Sequence, residues 1–306
     1  MARKIYSDLM KSLSEGKFTF TGEIEPLKTT SLKEIIEDAK TLKGYVVAAN
    51  ITDSPAALAY MNSLVPSYII QKEVGLETVY QMTCRDRNRI GLFSDLLAAG
   101  ALGIKNVLAI TGDHTSLGDN PEAKPVFDLD SQQLVYMIRK MVDEGTDLTG
   151  HEIEGPPKFH VGVATQPAMQ PLEPEIIKLE RKVNLGAEFV QTQVVYDIEI
   201  AKQFLKETAH IKAPILIGIC PLKSTGMAKW MVKNMPGIVI PDEVMRKFEA
   251  AEAKGKDALM QENIETFGEV IKEIKKTTHA AGIHLMAIGF EWIVPKIIER
   301  SGLKRK

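Results

Sequence analysis

Cysteine is nearly missing: 306 residues contain two, Cys84 and Cys220. That is too few for a disulfide framework, and each sits in an apolar segment, so both are expected as buried, reduced thiols. No apolar run reaches the roughly 18 residues that a membrane span needs. The opening Met1-Ala2-Arg3-Lys4-Ile5-Tyr6-Ser7 lacks the apolar core of a secretion signal, so the expected location is cytoplasmic. Neither sign of charge dominates: the net charge of −2 argues against a nucleic-acid binder and against a polybasic membrane module. The six histidines include no His-x-x-x-His pair and have no cysteine at ligand spacing, so no metal site is expected. Nucleophile signatures such as Gly-x-Ser-x-Gly are absent, and no Gly-x-Gly-x-x-Gly follows a strand.

What remains is an ordinary globular composition, 44% hydrophobic and 25% charged. Its centre is Asn106-Val107-Leu108-Ala109-Ile110-Thr111-Gly112-Asp113-His114. An apolar run that ends in a Thr-Gly-Asp turn reads as a strand buried on both faces, as in parallel sheets. Asp113 then stands at the strand's carboxyl end, the edge where α/β folds hold ligands.

The same alternation runs through the chain. Residues 1–16 read as a short amphipathic lead. Strands are expected at 18–26, 45–53, 77–84, 106–110, 159–165, 189–196, 214–220 and 282–289. Helix-period sequence is expected at 31–42, opened by a Ser31-x-x-Glu34 capping box, near 87–102, 131–141, 173–185, 263–278 and 293–300, and after strand six to about 207. Eight strands interleaved with helices predict one (β/α)8 TIM barrel over residues 1–306, with extra helices after strand seven because 226–282 exceeds one βα unit. A doubly wound open sheet fits less well, since the units fill the chain evenly.

The strand ends then name the candidates: Glu23, Glu25, Thr52, Asp53, Thr83, Thr111 to His114, Thr165, Gln166, Gln193, Pro221 and Glu291. This polar, Thr- and Gln-rich set suits a planar hydrogen-bonding ligand better than a bare metal. Taken singly the residues have plainer readings. Asp113 also reads as a loop-capping carboxylate, Glu23 as a strand-end partner of a lysine, and Arg181-Lys182 as a solvated helix face.

Five motifs in order resemble the methylenetetrahydrofolate reductase family: Glu23-Ile24-Glu25-Pro26, Ile51-Thr52, Ile110-Thr111-Gly112-Asp113, the stretch Leu179-Glu180-Arg181-Lys182-Val183-Asn184-Leu185-Gly186-Ala187, and Thr192-Gln193. The resemblance runs from about residue 18 to 303. It implies a flavin-bearing (β/α)8 barrel that interconverts 5,10-methylenetetrahydrofolate and 5-methyltetrahydrofolate by hydride transfer from reduced flavin, FAD rather than FMN. It implies Glu23 as general acid and substrate contact, and Asp113 as the carboxylate near flavin and pterin. Gln193 matches a polar group on the substrate face. Thr52, Gln81, Thr111, Gly112, Asp113, His114, Arg181 and Lys182 match the flavin surroundings, the last two as phosphate holders.

Elementary chemistry agrees with these roles. A general acid working near neutral pH needs an enclosed carboxyl. Arginine supplies a fork and lysine a point charge for a pyrophosphate. Departures from the family pattern are Thr111 where many members carry Arg, Gln81 where they carry His, and Met227 to Met231 with Trp230 in place of a stacking aromatic. They leave two expected electron donors, NAD(P)H or an iron–sulfur partner subunit in an oligomer or heteromer. The competing readings are a pterin-binding (β/α)8 methyltransferase without flavin and a folate-binding subunit without catalysis.

Overall fold

The computed structural model describes residues 4–235 and 237–303. Its eight strands are β1 (Thr19–Ile24), β2 (Ala48–Ile51), β3 (Glu77–Thr83), β4 (Asn106–Ile110), β5 (His160–Thr165), β6 (Phe189–Val194), β7 (Ile215–Ile219) and β8 (Gly282–Leu285). All pair in parallel, each with its sequence neighbour, and β8 closes on β1. The expected (β/α)8 barrel is what forms.

Among the described residues, eleven α-helices accompany the strands: α1 (Asp8–Ser14), α2 (Lys33–Leu42), α3 (Leu64–Ile69), α4 (Arg89–Ala101), α5 (Ser131–Arg139), α6 (Glu173–Asn184), α7 (Ile198–Glu207), α8 (Thr225–Asn234), α9 (Asp242–Glu252), α10 (Lys256–Thr277) and α11 (Ile293–Arg300). The extra helices expected after strand seven are α8 and α9. Among the described residues, no helix is long and apolar enough to cross a membrane. Cys84 and Cys220 are free and buried, as expected.

Side-chain caps set five of the eleven helix starts among the described residues. Asn88, Asp197 and Ser224 each accept a first-turn N–H of α4, α7 and α8, and Asp130 with Gln133 forms a reciprocal box at α5. The box expected at Ser31 and Glu34 does not form. Helix α2 starts after Leu32, and the Ser31 hydroxyl accepts from Lys33 N at 3.3 Å instead. Helix α3, absent from the sequence expectation, carries Pro66 in its first turn, where a missing N–H costs no intrahelical bond. Helix α10 begins earlier than expected, at Lys256, and its buried Asn263 fastens it to the loop after β7. The Asn263 amide accepts from Leu222 N at 2.6 Å and donates to Leu222 O at 3.0 Å.

One end of the barrel is plugged. Leu9 and Leu13 of α1 pack against Val47, Ala48, Val79, Leu108, Phe189 and Leu216. Burying two leucines contributes about 3–6 kcal/mol, which holds a helix too short to persist alone. The Asp8 and Leu9 N–H groups donate to the Glu77 carboxylate at 2.8 and 2.9 Å, and Tyr6 N donates to His160 Nε2 at 2.9 Å. Gly162 leaves room for the Phe189 ring in this layer, because a Cβ there would lie 2.2 Å from it. The strand carboxyl ends form the opposite, open mouth.

Candidate active site

Above its apolar floor the barrel interior turns polar, where bulky branched residues are the usual filling. Thr21 of β1, Asn50 of β2, Gln191 of β6 and His284 of β8 are all buried. The Asn50 and Gln191 amides bond reciprocally, at 2.7 and 3.0 Å. Gln191 Nε2 also donates to Thr21 Oγ1 at 3.1 Å, and that hydroxyl lies 3.0 Å from His284 Nδ1. A hydroxyl that accepts from Gln191 has its own hydrogen free for Nδ1. Nδ1 accepting from that hydroxyl goes with the tautomer that carries its proton on Nε2.

That nitrogen faces Glu23. His284 Nε2 lies 3.4 Å from Glu23 Oε2, and Gln81 Nε2 donates to the same oxygen at 2.9 Å. Strand alternation puts Thr21 and Glu23 on one face of β1, so the carboxyl stands directly above the polar layer. Its side chain is 14% exposed. Both donors fall on Oε2, at the floor of the mouth.

Three further carboxyls crowd this edge. Glu25 is pushed up to about 7, first by burial and then by Glu23 and Glu291. Asp38 is pushed up to about 7 by burial with help from Glu291 and Glu34. Burial also raises Glu291, against the hydrogen bond its Oε1 accepts from Gly289 N at 2.9 Å. Lys223 is the cation that opposes all three shifts.

The rim over β2 to β4 is built differently. Asp53 accepts from Thr83 N and Oγ1 at 2.9 and 3.0 Å, and from both terminal nitrogens of Arg87 at 2.7 and 3.2 Å. Both residues were strand-end candidates, and both fasten the rim. Arg85, with a buried side chain, donates to Asp113 O at 3.3 Å and Ser54 O at 3.1 Å. Asp113 Oδ2 accepts from Ala56 N at 3.1 Å, the loop-capping role that its turn position allows. The clasped loop is strained: Ser54, Ala56 and Ala57 have φ of 49°, 52° and 58°. Left-handed backbone at non-glycine residues costs about 1–3 kcal/mol each and gathers at functional sites. Gly118 makes the clasp possible, since a Cβ there would sit 1.9 Å from Ala57 O.

The other expected residues are placed as follows. Gly112 has φ +92°, and a side chain there would press on Thr83 and Arg85. Thr52 is buried, and its Oγ1 has no hydrogen-bond partner among the described residues. Thr111 is exposed, and its Oγ1 accepts from Ser131 N at 3.1 Å. His114 is exposed, bonded to Ser116 and stacked on Phe127 at 6.3 Å. Gln193 lies where the β6–β7 register shifts, between Gln191 and Val194. Such a bulge re-aims side chains beside a site.

Arg181 is not brought to the mouth. Helix α6 runs from the carboxyl rim toward the opposite end, and Arg181 is exposed in its last turn. The expectation that it faces the rim fails because helical side chains near a carboxyl end cover the turn before them, not the start of the helix. Lys182 is long enough to reach back along the barrel wall. Its Nζ donates to Ala164 O at 2.8 Å, and burial lowers its pKa.

The structure therefore brings Glu23 and Gln81 together with Glu25 and Glu291, and gathers Thr52, Gly112 and Asp113 over β2 to β4. Strand ends alone missed Asn50, Gln191 and His284. Their signal was a polar residue in mid-strand in three different strands, between apolar neighbours for Asn50 and His284 and after Val190 for Gln191.

The sequence model of methylenetetrahydrofolate reductase matches residues 8–302. Methylenetetrahydrofolate reductase 2 of Schizosaccharomyces pombe is 24% identical over 311 residues, covering 98% of this chain and 48% of that protein. The 5,10-methylenetetrahydrofolate reductase of Salmonella typhimurium is 24% identical over 253 residues, covering 79% of this chain and 77% of that one. The chain spans about half the length of the Schizosaccharomyces pombe relatives and a third of the Caenorhabditis elegans one. Among solved structures, an uncharacterized protein from Clostridium thermocellum that binds two copies of 5-methyl-5,6,7,8-tetrahydrofolic acid has the same fold. Its TM-score is 0.67 at 15% identity, over 97% of this chain and 100% of that chain.

Proposed function

The chain belongs to the methylenetetrahydrofolate reductase family, and on that premise we propose that it interconverts 5,10-methylenetetrahydrofolate and 5-methyltetrahydrofolate, with Glu23 as the acid. The observation that carries the reading is the Glu23 carboxyl at the barrel mouth, held on one oxygen by Gln81 and His284.

Glu23 donates its proton to the amine nitrogen that leaves when the five-membered ring of the substrate opens, generating the iminium carbon. Gln81 and His284 fix the carboxyl and stabilise the carboxylate that remains, as hydrogen bonds to a charged form do. Glu25, one step along the same strand face, keeps its proton up to about pH 7 and supplies a second proton store at the mouth. Asp113 sets the polarity of the pterin side of the rim, and Gln193 offers an amide to the substrate.

The rim over β2 to β4 fits a flavin on two observations. Thr52 Oγ1 and Thr115 Oγ1 are buried hydroxyls without partners among the described residues, and buried polar groups are seldom left so. The strained, clasped loops there also present the Gly112 backbone without a side chain. Thr52, Thr111, Gly112, Asp113 and His114 would hold the ring side and Lys182 an anionic group, with FAD preferred to FMN. When bound, the flavin supplies the hydride.

The donor in this proposal is NAD(P)H or the iron–sulfur subunit of a heteromer, and the setting is cytoplasmic. A cluster would have to sit on that partner, because such clusters take about four cysteine ligands. Cys84 and Cys220 are buried thiols pushed up to about 12.

Anaerobic purification, identification of the bound flavin and titration with NADH, NADPH and 5-methyltetrahydrofolate test the reading. Loss of the flavin's visible absorption with 5-methyltetrahydrofolate is the expected result. A protein that takes up no flavin, yet binds methyltetrahydrofolate, would overturn it in favour of a methyltransferase.

A further inference from the structure

Among the described residues, nothing beneath Glu23 can return a proton to it from solvent. Gln81 and His284 occupy its Oε2. An amide does not exchange its protonation state near neutral pH. The imidazole is closed off by Thr21 and Gln191, with Asn50 behind them, and none of these four side chains is more than 3% exposed. From above, the planar ligands proposed for this mouth would exclude water, as a filled active site does. Each ring opening leaves Glu23 a carboxylate, so the next proton has to arrive along the barrel wall.

That wall carries Glu25. It lies two residues beyond Glu23, on the same face, half-buried between the acid and the rim. Alternate residues of a strand stand about 7 Å apart, a span that two carboxyl side chains with one water between them can bridge. The groups facing Glu25 from other segments are Glu291 after β8, Lys223 after β7 and Tyr60 after β2. Glu291 is 3% exposed, and its Oε1 accepts from Gly289 N at 2.9 Å. Lys223 is exposed and lays its ammonium over the same glycine, where a Cβ would come within 2.9 Å of Nζ. The turn that seats both is strained, with φ of 46° at Ile288 and 74° at Gly289. A β-branched residue persists in that region only where its surroundings hold it. Burial and the two neighbouring carboxylates favour the protonated form of Glu25, and Lys223 opposes them from the solvent side.

We propose that Glu25 is the proton relay of this site, refilling Glu23 along the wall and being refilled from solvent beside Lys223. The inference rests on the folate reading and gives the proton store at the mouth a route and a direction. In the methyl-forming direction a carbon–nitrogen bond of the five-membered ring breaks, and the leaving nitrogen takes the Glu23 proton. The iminium carbon takes the hydride that reduced flavin supplies. Glu25 passes its proton to the Glu23 carboxylate and takes one from water at the rim. Each turnover consumes one proton and one hydride, and both carboxyls end as they began. The reverse direction runs the same transfers backward.

The first arm of the test needs neither flavin nor folate. Infrared difference spectra of the unliganded protein should show protonated carboxyl fading through about pH 7. Part of that signal should be missing from Glu25→Gln, and part should persist to higher pH in Lys223→Gln, which lacks the opposing cation. The second arm compares the first turnover of 5,10-methylenetetrahydrofolate with steady-state turnover, using dithionite-reduced protein reconstituted with flavin. At about pH 8.5, where hydronium is scarce, Glu25→Gln should slow the steady state at least about tenfold and the first turnover less than about twofold. Imidazolium added as a small acid should restore the steady state, and Lys223→Gln should move its alkaline limb to higher pH. Equal slowing of first and later turnovers, absence of rescue, or carboxyl spectra unaffected by Glu25→Gln overturns the relay and leaves the reductase reading standing. A reconstituted protein that reduces no 5,10-methylenetetrahydrofolate overturns that reading, and the relay with it.

Discussion

His284 Nε2 stands 3.4 Å from Glu23 Oε2 across the closing seam of the barrel, with Gln81 on the same oxygen. The ring is oriented from beneath by Thr21 and Gln191, so the carboxyl at the mouth rests on side chains from four strands. Glu23→Gln keeps the donors' geometry and removes the proton. It is expected to fold and to retain flavin while losing about 10²–10⁴-fold in the folate half-reaction. Rapid-mixing measurement of flavin reduction by 5-methyltetrahydrofolate checks this, and turnover at the normal rate would remove Glu23 from its role.

Gln191→Leu strips the polar layer of its hub. Asn50 then keeps buried polar atoms without partners and Thr21 keeps only His284, at about 1–3 kcal/mol for each unsatisfied group. Urea unfolding should show a lower midpoint, and Asn50→Leu added to it should cost less than the two separate losses combined. Strict additivity would mean that the amides do not act as a unit.

Asp53→Ala leaves Arg87 with Asp95 as its remaining carboxylate. Breaking such a buried pair costs about 3–5 kcal/mol. The loss should appear in the unfolding midpoint, while the Kd for flavin in protein that remains folded changes little. A large rise in that Kd without loss of stability would make Asp53 a cofactor ligand instead of a fastening.

Acidity at the mouth predicts a slope in stability. The Glu25 carboxyl goes from an ordinary 4.5 to about 7 on folding, and Asp38 from 3.8 to about 7. Between those values the folded state binds more protons than the unfolded one, so this contribution is full at the acid end and is lost as pH rises through about 7. Asp119 and Asp128, lowered to about 2 by their cationic partners, titrate below that window. The urea midpoint should therefore fall between about pH 5 and about pH 8, and Glu25→Gln should flatten the fall. A midpoint that climbs over this range contradicts the assignment.

Asp113→Asn separates the loop bond of its carboxylate from the role proposed for its charge. The amide still accepts from Ala56 N, so the clasped loop should persist, while the negative charge proposed for the pterin side of the rim is gone. Slower reaction with the folate than with the electron donor is expected from single-turnover kinetics of each half-reaction. Equal slowing of both would restrict Asp113 to the loop.

The barrel was legible because apolar runs and helical periods are local patterns, and β4 and α11 fall where the pattern puts them. Glu23 was legible as a strand-end carboxylate, because the aromatic- and Thr-rich run that carries it is stopped by Pro26. The layer beneath it was not. Thr21, Asn50, Gln191 and His284 meet only through the registers of separate strands, and no local pattern carries a register. Arg181 was misplaced because adjacency to Lys182 says nothing about which end of α6 either cation serves. The meeting of Glu25 with Lys223 and Glu291 stayed hidden likewise, since the three come from separate segments. Helix α3 was missed because Pro66 resembles a breaker until its first-turn position is known.

The pairing of Thr21 with His284 joins the first strand to the last. On a ribosome adding about 5–20 residues per second, β1 waits on the order of ten to fifty seconds for that neighbour. Throughout the wait its edge is open to other chains, and the carboxyl of Glu23 has no imidazole beside it. Arrival of β8 ends both conditions in one event. A product released short of that strand is thus exposed to quality control and, on the proposed role of Glu23, lacks the imidazole beside its acid for the same reason.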